Sequence, residues 1–462
     1  MVAANLISTD RNRAVVGLGV TGKSVAGYLK KTGKPFSAFD SRTAPPGIDG
    51  FYREHPDVEV RLGPFDLNAF DGFDEVILSP GIASNKGVFK QLRENGVRVV
   101  GDIEIFAENA NAPIIAITGS NAKSTVTTLV GEMAKAGGLA VCVGGNLGVP
   151  VLDLLKDNVQ LYVLELSSFQ LETTNSLKAD VACILNISQD HLDRYDSMLD
   201  YHQAKQRIYR GAKHVVCNRA DALTTPLLEE GQSFSTFGLG APDLKQFGLI
   251  ERHGEPWISC GVEPLIKVSD VTIAGRHNIE NAISAVTIGS AAQISVAAMH
   301  EALERFAGLP HRCEIVAEFA DIRWINDSKA TNAGAVIAAL EGLSEQRNIV
   351  LIAGGQAKGQ EFTSLAKCIT QHAKCAILMG EAAKQIAASI ELAEAGEATK
   401  SSNQPKCTLL FAMSMEAAVE TAAQMAVTGD IVLMSPACAS FDMFDSYEAR
   451  GDAFAQAVRS LQ

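Results

Sequence analysis

Residues suited to binding phosphate follow a short apolar segment within the sequence APIIAITGSNAKSTVTTL, which begins at residue 112. The apolar residues 114–117 are typical of a buried strand, and a helical pattern follows the polar ones. In such a strand–loop–helix unit, backbone N–H groups point at phosphate and a lysine ammonium contacts its outer oxygens. A hydroxyl beside the lysine is placed to ligate Mg²⁺. The candidate residues are Gly119, Asn121, Lys123, Ser124 and Thr125.

This loop differs from the standard phosphate loop, G-x-x-x-x-G-K-[ST], at two positions. Ala122 precedes the lysine, and Ile117 stands where the first glycine belongs. Alanine costs conformational energy if the backbone there needs a positive φ, and little otherwise. A plain helix N-terminus explains serine and threonine as caps, but not a lysine in the first turn, where the helix dipole disfavours cations. The pattern therefore favours phosphate binding.

Three further residues are candidates for metal binding or catalysis. Glu165 lies in the apolar segment VLELSSFQ, where a charge must be paired or bound to a metal ion. His191 follows the predicted strand VACILNIS, and the carboxyl ends of parallel strands face the ligand crevice. From the residues alone, His191 is more typical of an ordinary loop histidine, and Lys205 is typical of an ordinary helix lysine.

A glycine fingerprint, G-x-G-x-x-G, occupies residues 17–22 between a predicted strand and a predicted helix. Asp40 ends the next predicted strand, where a carboxylate would take a ribose hydroxyl. Arg42 would meet a phosphate or be a solvated charge, and Gly81 lets the backbone approach a ligand. The same turn serves non-redox nucleotides and simple helix–strand packing. We therefore favour nucleotide binding over a purely structural turn, and a nicotinamide cofactor less than either.

Composition places the chain among ordinary globular proteins. It has 462 residues, 47% of them hydrophobic and 20% charged, with a net charge of -13 that argues against general nucleic-acid binding. The nine cysteines are scattered singly, which indicates reduced thiols rather than a disulfide framework or a zinc site. The N-terminal segment lacks the apolar stretch of a signal peptide, and we find no membrane-spanning segment. We expect a cytoplasmic protein.

The order of strands and helices predicts three α/β domains. Alternating strands and helices imply a parallel, doubly wound sheet in each domain. We expect the three domains to comprise residues 1–101, 102–308 and 309–462. Residues 231–270 are more β-like and rich in turns, and their pattern predicts no role.

Together these motifs resemble the Mur ligases, the ATP-dependent amino-acid ligases of peptidoglycan precursor synthesis, over essentially the whole chain. The family's phosphate loop is a short G-[ST]-N-G-K-[ST]-T, so the loop here is a different phosphate loop with alanine in place of its second glycine. The resemblance implies a Rossmann-like UDP-binding domain, a central ATP- and Mg²⁺-binding domain, and a C-terminal Rossmann-like domain that binds the amino acid. Within the family, it is strongest to the members that add D-glutamate.

The resemblance also implies an ATP site with Mg²⁺, for which two ions are expected. Lys123 would contact the β- and γ-phosphates, and Lys205 matches a lysine that family members carbamylate, so that it gains a carboxylate-like anion. With Lys123, the catalytic residues would include His191 and Lys205. The metal-site residues would be Ser124, Glu165, His191 and Lys205. The other ATP-site residues would be Gly119, Asn121, Thr125, Asn278, Asn281, Arg312 and Asp327.

The implied substrates are UDP-N-acetylmuramoyl-L-alanine and D-glutamate, with no nucleic acid and no obligate protein partner. The implied contacts of the UDP-linked substrate are Val20, Thr21, Asp40, Arg42, Gly81 and Asn146. Those in the third domain are His311, Lys329, Thr331, Lys358, Ser440, Phe441 and Tyr447. The D-glutamate-adding members commonly have phenylalanine where Tyr447 stands.

The implied reaction is ATP-driven amide formation. The alanyl carboxylate attacks the γ-phosphate to give an acyl phosphate, and the amine of D-glutamate then displaces phosphate. A nicotinamide-dependent oxidoreductase is an alternative that rests on the glycine fingerprint alone. A phosphate-loop ATPase or switch would turn over ATP without an amino acid. A ligase like folylpolyglutamate synthase would share the central domain but not the UDP-binding one.

Overall fold

The computed structural model describes residues 11–191, 194–228, 230–273, 275–344, 346–398 and 405–461. They form three α/β domains, each built around its own β-sheet, with five, nine and six strands. The predicted fold class is confirmed. Within these residues, no helix combines the length and the apolar character needed to cross a membrane. All nine cysteines are free thiols, as predicted.

The first domain has a five-stranded parallel sheet in the order β3-β2-β1-β4-β5. Its strands are β1 (Arg13–Val16), β2 (Ser37–Asp40), β3 (Val60–Leu62), β4 (Glu75–Leu78) and β5 (Arg98–Gly101). The helices that follow them are α1 (Val20–Lys31), α2 (Ile48–Glu54), α3 (Gly87–Glu94) and α4 (Asp102–Ala107). The order of strands reverses between β1 and β4, and this is where an open α/β sheet binds its ligand.

The glycine fingerprint makes the turn between β1 and α1 very tight. Gly17 has φ of +91°, and a Cβ atom on Gly22 would lie 1.8 Å from the carbonyl oxygen of Gly17. Only glycine fits at position 22, because the helix comes this close to the end of the strand. The fingerprint therefore brings the N-terminus of α1 to the crevice.

The middle domain has nine strands in the order β14-β13-β12-β11-β10-β9-β6-β8-β7. They are β6 (Ile114–Thr118), β7 (Val141–Gly145), β8 (Leu161–Glu165), β9 (Val181–Ile184), β10 (His214–Asn218), β11 (Ser233–Phe237), β12 (Phe247–Arg252), β13 (Glu255–Cys260) and β14 (Glu263–Lys267). The helices are α5 (Lys123–Ala136), α6 (Ser168–Glu172), α7 (Met198–Gln206), α8 (Arg276–Ala291) and α9 (Val296–Arg305). The segment 231–270 extends the sheet with β11 to β14, the last three of which pair antiparallel.

The phosphate-like loop lies at the centre of this sheet. All five residues of β6 are buried, and helix α5 packs over the strand with Val126, Leu129 and Met133 in the core. Strands β8 and β9 flank β6 on its two sides and run parallel to it. The carboxyl ends of the three strands therefore meet at one edge of the sheet, beside the N-terminus of α5.

The third domain has six strands in the order β15-β16-β20-β17-β18-β19, with β15 antiparallel to its neighbour. They are β15 (Glu314–Phe319), β16 (Ile322–Asn326), β17 (Ile349–Gly354), β18 (Ala373–Met379), β19 (Thr408–Phe411) and β20 (Ile431–Met434). The helices are α10 (Ala333–Leu343), α11 (Thr363–His372), α12 (Ala383–Ala398), α13 (Met415–Met425) and α14 (Tyr447–Arg459). Short 3₁₀ turns elsewhere in the described chain span Leu67–Phe70, Val151–Leu154, Arg207–Tyr209, Ala222–Thr224 and Val268–Asp270.

Candidate active site

The loop between β6 and α5 has the shape of an anion-binding turn. Ala122, the N-cap of α5, has φ of 64° and ψ of −3°, so the backbone is left-handed at a residue that carries a side chain. The backbone N–H groups of Ser120 and Asn121 donate to Asn186, which holds the loop against the end of β9. Lys123 Nζ donates to the carbonyl oxygens of Gly119 and Ser120, both at 2.9 Å. The lysine therefore folds back over the loop.

A cavity of about 480 Å³ lies in front of this loop, between the middle and third domains. Half of the residues that line it are predicted site residues, drawn from both domains. They are Asn121, Lys123, Ser124, Asn146, Glu165, His191, Lys205, Arg312, Lys329, Thr331 and Tyr447. Its lining includes four basic side chains, three carboxylates and one histidine. A chain of net charge -13 thus concentrates basic side chains at one site, which suits a polyphosphate.

Glu165 ends β8 and is a buried carboxylate with one oxygen unpaired. Its Oε1 accepts a hydrogen bond from Asn146 Nδ2 at 2.6 Å. Its Oε2 is fully buried and has no hydrogen-bond partner within the described residues. A buried carboxylate oxygen without a partner is costly, and a hard divalent cation is a suitable partner for it. Among the predicted metal ligands, Glu165 fits a Mg²⁺ site best.

Lys205 is buried to 1% exposure, although its sequence context is that of an ordinary helix lysine. It reaches from α7 under the phosphate loop, where Nζ donates to Gly119 O at 2.7 Å and to Thr118 Oγ1 at 3.3 Å. Burial lowers the pKa of Lys205 well below its usual range, and the nearby Lys123 lowers it further. Burial also lowers the pKa of Lys123, while Glu165 opposes that shift. The lowered pKa favours the uncharged amine of Lys205 more than in an exposed lysine.

His191 lies in the loop that follows β9, with a left-handed backbone at φ of 56°. Its Nε2 is 3.6 Å from Asp190 Oδ2, and its ring packs edge-on against Phe169, with centroids 4.8 Å apart. Burial lowers the pKa of His191, although Asp190 opposes the shift. A neutral imidazole retains the lone pair that a metal ligand needs.

The third domain brings two basic side chains to the cavity. Arg312 Nη2 donates to Ser124 Oγ at 2.7 Å, across the boundary between the domains. Lys329 Nζ lies 3.6 Å from the centroid of the Tyr447 ring. Burial lowers the pKa of Lys329 to about 8, and Arg312 contributes to the shift. The side chain of Asp327 is buried behind them, and burial raises its pKa to about 6.

A smaller cavity of about 140 Å³ adjoins the central one and shares Asn121, Ala122, Arg312 and Lys329 with it. The other predicted ATP-site residues line this smaller cavity: Thr125, Asn278, Asn281 and Asp327. The two cavities meet at the phosphate loop.

A third cavity, of about 540 Å³, lies at the switch point of the first sheet. It contains the predicted residues of that domain: Val20, Thr21, Asp40, Arg42 and Gly81. Asp40 accepts hydrogen bonds from Leu18 N at 2.8 Å and Arg42 Nη2 at 2.7 Å. The hydrogen bonds from Arg42 are the main reason that the pKa of Asp40 is lowered to about 2. This cavity shares Asn146 and Gly148 with the central one.

Five predicted residues do not line these cavities: Gly119, His311, Lys358, Ser440 and Phe441. Gly119 instead accepts hydrogen bonds at its carbonyl oxygen from Lys123 and from Lys205 of α7. His311 Nδ1 accepts from Asn326 Nδ2 at 3.0 Å. Lys358 Nζ stands 5.6 Å from the ring centroid of Phe441, whose side chain is exposed.

Sequence reasoning missed several residues that line the central cavity. Asn332 was overlooked although it directly follows Thr331, and its Nδ2 donates to Asn121 Oδ1 at 3.0 Å and Asp190 Oδ2 at 3.2 Å. Its position just before a helical pattern is typical of an N-cap and was a usable signal. Phe169 and Tyr201 carry no such signal, because an aromatic residue in a helix is most often part of the core.

Comparison with known families gives three matches that together span most of the chain. The model of the Mur ligase MurD-like N-terminal domain matches residues 11–101, and that of the Mur ligase middle domain matches residues 117–289. The model of the Mur ligase glutamate ligase domain matches residues 311–438.

Curated relatives are similar over their full length. A UDP-N-acetylmuramoylalanine–D-glutamate ligase of Pseudomonas savastanoi pv. phaseolicola is 49% identical, with 99% of this chain and 100% of the relative covered. The enzyme of the same name from Pseudomonas aeruginosa is 47% identical, with the same coverage.

Solved structures of low identity share the fold. A pseudomurein peptide ligase type C from Methanothermus fervidus has a TM-score of 0.60 at 19% identity, covering 98% of this chain and 100% of its own. A UDP-N-acetylmuramate–alanine ligase from Thermotoga maritima has a TM-score of 0.57 at 19% identity, with the same coverage. FolC of E. coli, solved with DHPP and ADP, has a TM-score of 0.57 at 15% identity, covering 79% of this chain and 94% of its own.

Proposed function

The chain belongs to the Mur ligase family, and we propose that it is the member that joins D-glutamate to UDP-N-acetylmuramoyl-L-alanine with ATP, in peptidoglycan precursor synthesis. Support comes from the 47–49% identity to ligases of that name along the full chain. The structural observation that carries the proposal is a continuous series of three cavities: the central cavity joins the smaller one at the phosphate loop and joins the first-domain one at Asn146 and Gly148. Three cavities suit a reaction in which two substrates and ATP must meet.

In the proposed reaction, the alanyl carboxylate attacks the γ-phosphate of ATP, and the amine of D-glutamate then displaces phosphate from the acyl phosphate. Lys123 at the N-terminus of α5 neutralises charge on the phosphoryl group as it moves. The phosphate loop supplies backbone N–H groups around Ala122 and the N-terminal dipole of α5. Burial of the site between two domains keeps water away from the acyl phosphate, which water would hydrolyse.

We assign the ATP site to the central cavity and the smaller cavity beside it. Gly119 and Asn121 belong to the loop, Thr125 belongs to the first turn of α5, and Asn278 and Asn281 reach the smaller cavity from α8. Arg312 lines both cavities and Asp327 the smaller one, so the third domain contributes to the nucleotide site. Closure of the third domain over ATP would therefore complete the site.

We assign Mg²⁺ to the metal-site residues Ser124, Glu165, His191 and Lys205, with two ions. When bound, the metal supplies charge neutralisation at the phosphate oxygens. The unpaired Oε2 of Glu165 supports this assignment, since it is a buried anionic oxygen that no described residue pairs. Carbamylation of Lys205 is also proposed, because the uncharged amine is the form that reacts with carbon dioxide and the lowered pKa of Lys205 favours that form.

The substrates are assigned to the remaining residues. The UDP-linked substrate would extend from the first-domain cavity, past Asn146, to the central cavity that shares this residue. Its proposed contacts are Val20, Thr21, Asp40, Arg42, Gly81 and Asn146. D-glutamate would lie against the basic side of the third domain, since an amino acid with two carboxylates needs cationic partners. Its proposed contacts are His311, Lys329, Thr331, Lys358, Ser440, Phe441 and Tyr447.

The test of the proposal is phosphate release from ATP in the presence of Mg²⁺ and UDP-N-acetylmuramoyl-L-alanine. D-glutamate, L-glutamate and no amino acid are compared, and the product is identified by mass. We expect release that needs both the UDP-linked substrate and D-glutamate, and that is lost in Lys123→Ala. The matched control is Lys90→Ala, an exposed helix lysine in the first domain. Release that is indifferent to both substrates would leave an ATPase and refute the ligase.

The alternatives have less support. A nicotinamide-dependent oxidoreductase would use only the first cavity and leaves the phosphate loop without a role. A ligase like folylpolyglutamate synthase is consistent with the shared fold of FolC, but that likeness covers 79% of this chain at 15% identity. Neither alternative accounts for the match of the N-terminal domain to a Mur ligase model.

We assign the domains to residues 1–101, 102–308 and 309–462, because the first sheet ends at Gly101, and α9, which packs in the core of the middle domain, ends at Arg305 before the third sheet begins at Glu314. We also place the protein in the cytoplasm, which the scattered free thiols support. Limited proteolysis would test the boundaries, with first cuts expected near them.

A further inference from the structure

Arg194 lies between the first and middle domains and lines none of the three cavities. Its side chain is 12% exposed, and it forms an ion pair with Glu172 Oε2 at 3.0 Å, whose side chain is 10% exposed. A buried arginine held by a buried carboxylate has a fixed position, because separating the two charges would leave each unpaired.

On one side, Arg194 contacts the wall of the first-domain cavity. Its Nη2 donates to the carbonyl oxygen of Ile82 at 3.1 Å, and Nη1 lies 3.4 Å from that of Gly81. Both Gly81 and Ile82 line that cavity, directly after β4. The guanidinium fork thus fixes the backbone of the cavity wall to the middle domain.

On the other side, Arg194 contacts the wall of the central cavity. Its guanidinium lies 4.6 Å from the ring centroid of Phe169, and the same ring packs edge-on against His191, with centroids 4.8 Å apart. The backbone N–H of Arg194 also donates to the carbonyl oxygen of His191 at 3.0 Å. Phe169 and Glu172 are three residues apart on α6, so both stand on one face of the helix.

We propose that Arg194 is a positioning residue that holds the first-domain cavity in register with His191 and the phosphate loop. This inference rests on the proposed function, in which one substrate must reach from the first cavity into the central one. If the first domain shifts, the bound substrate presents its carboxylate at the wrong place. A displacement of about 1 Å at the reacting atoms lowers a rate by about a hundredfold.

The test compares two variants of the full-length enzyme. Arg194→Lys keeps the charge beside Glu172 but loses the planar fork that reaches Ile82 and stacks on Phe169. The matched control is Lys86→Met, because Lys86 pairs with Asp196 at 2.8 Å across the same two domains, with side chains 49% and 78% exposed. This second ion pair touches neither cavity wall. Steady-state kinetics are measured for each of the three substrates, together with the melting temperature.

We expect Arg194→Lys to raise KM for the UDP-linked substrate and lower kcat, each by about tenfold, with KM for ATP changed by less than about twofold. Lys86→Met should leave all of these within about twofold. A purely structural role predicts a lower melting temperature with kcat and KM unchanged, and would refute the proposal. An equal rise of KM for all three substrates would also refute it, because that indicates general loosening.

If Arg194→Lys fails to fold, the double variant Arg194→Met/Glu172→Gln leaves no buried unpaired charge and takes its place. The same kinetic pattern is expected from it. Calorimetric measurement of UDP-N-acetylmuramoyl-L-alanine binding to the wild type distinguishes failure of the proposed function from failure of the proposed role of Arg194. A wild type that neither binds nor turns over this substrate refutes the proposed function and the inference with it. A normal wild type with a normal Arg194→Lys variant refutes the inference alone.

Discussion

Arg312 of the third domain donates a hydrogen bond from Nη2 to Ser124 Oγ of the phosphate loop, at 2.7 Å. Because the hydroxyl oxygen accepts this bond, Ser124 keeps its proton free and retains a lone pair for a cation. Desolvation at this position between two domains is the main reason that the pKa of Arg312 is lowered. A charged donor thus connects two domains at the point where the phosphates of ATP would bind.

The first prediction concerns this contact. Arg312→Lys removes the planar fork but keeps the charge, and should lower kcat/KM for ATP by about 10- to 100-fold, the range of a lost charge-assisted hydrogen bond. Initial rates at varied ATP measure it. Arg305→Lys is the control, since Arg305 is an exposed arginine paired with Glu301 within one helix and should tolerate the change.

A double-mutant cycle with Ser124→Ala tests whether the effect passes through this hydrogen bond. If it does, Arg312→Lys should cost less in the Ser124→Ala background than in the wild type. Strictly additive effects would mean that Arg312 acts on ATP without Ser124.

Much of the fold could be predicted from the sequence because its signals are local. Apolar runs such as residues 114–117 end in glycine-rich turns, and helical patterns follow them, which is sufficient to predict parallel α/β sheets. The phosphate loop could be predicted for the same reason. The sequence did not decide whether the backbone at position 122 is left-handed, because an alanine argues against the positive φ that the structure has there.

The assembled site could not be predicted from local signals. Lys205 is buried under the loop only because α7 packs there, and a lysine in a short helix gives no sign of that. Arg312 and Lys329 reach the cavity from another domain, and their meeting with Lys123 depends on how the domains dock. The resemblance to a family supplied these residues, whereas composition and spacing did not.

The second prediction concerns Ala122. Its φ of 64° is costly for an L-residue with a side chain, by about 1–2 kcal/mol, whereas glycine adopts this conformation freely. Glycine is also a better N-cap than alanine. After subtraction of the entropy that glycine loses on folding, Ala122→Gly should raise the free energy of unfolding by up to about 1 kcal/mol.

Thermal and urea denaturation of the two proteins measure this change. Ala136→Gly at the other end of α5 is the control, because its backbone is helical and glycine should destabilise it by up to about 1 kcal/mol. If Ala122→Gly destabilised the protein as much as Ala136→Gly does, strain at Ala122 would be excluded.

The third prediction is a pH dependence. Burial lowers the pKa of Lys329 to about 8, so the side chain is an ammonium below that pH and a neutral amine above it. A carboxylate bound to Lys329 therefore loses its cationic partner as the pH rises. Glutarate, which has two carboxylates and no amine, should inhibit competitively against D-glutamate, with Ki rising by up to about tenfold per pH unit above about 8.

Glutarate is chosen because D-glutamate has an amine that titrates in the same range and would obscure the result. Lys329→Arg provides the comparison, because arginine stays charged across the whole range. Its Ki should be flat from about pH 7 to about pH 9.5. A wild-type Ki that is equally flat would remove Lys329 from the amino-acid site.

The last prediction concerns Asn332, which makes two kinds of hydrogen bond. Its Oδ1 accepts from Ala335 N at 2.9 Å and caps α10, while its Nδ2 donates to Asn121 Oδ1 and Asp190 Oδ2 across the domain boundary. Asn332→Asp preserves the cap, since aspartate is as good an N-cap as asparagine, but places a carboxylate opposite two oxygen acceptors. The variant should therefore be as stable as the wild type, but repulsion between these oxygens should prevent the third domain from closing on the middle one.

We expect kcat of Asn332→Asp to fall by about 10- to 100-fold, with a melting temperature close to that of the wild type. Asn332→Ala is the comparison, because it removes the donor and the cap but adds no repulsion. It should melt lower, as loss of an N-cap costs about 1 kcal/mol, yet retain more activity than the aspartate variant. The opposite order of activities would mean that the cap, rather than the bonds to Asn121 and Asp190, is what the reaction needs from this residue.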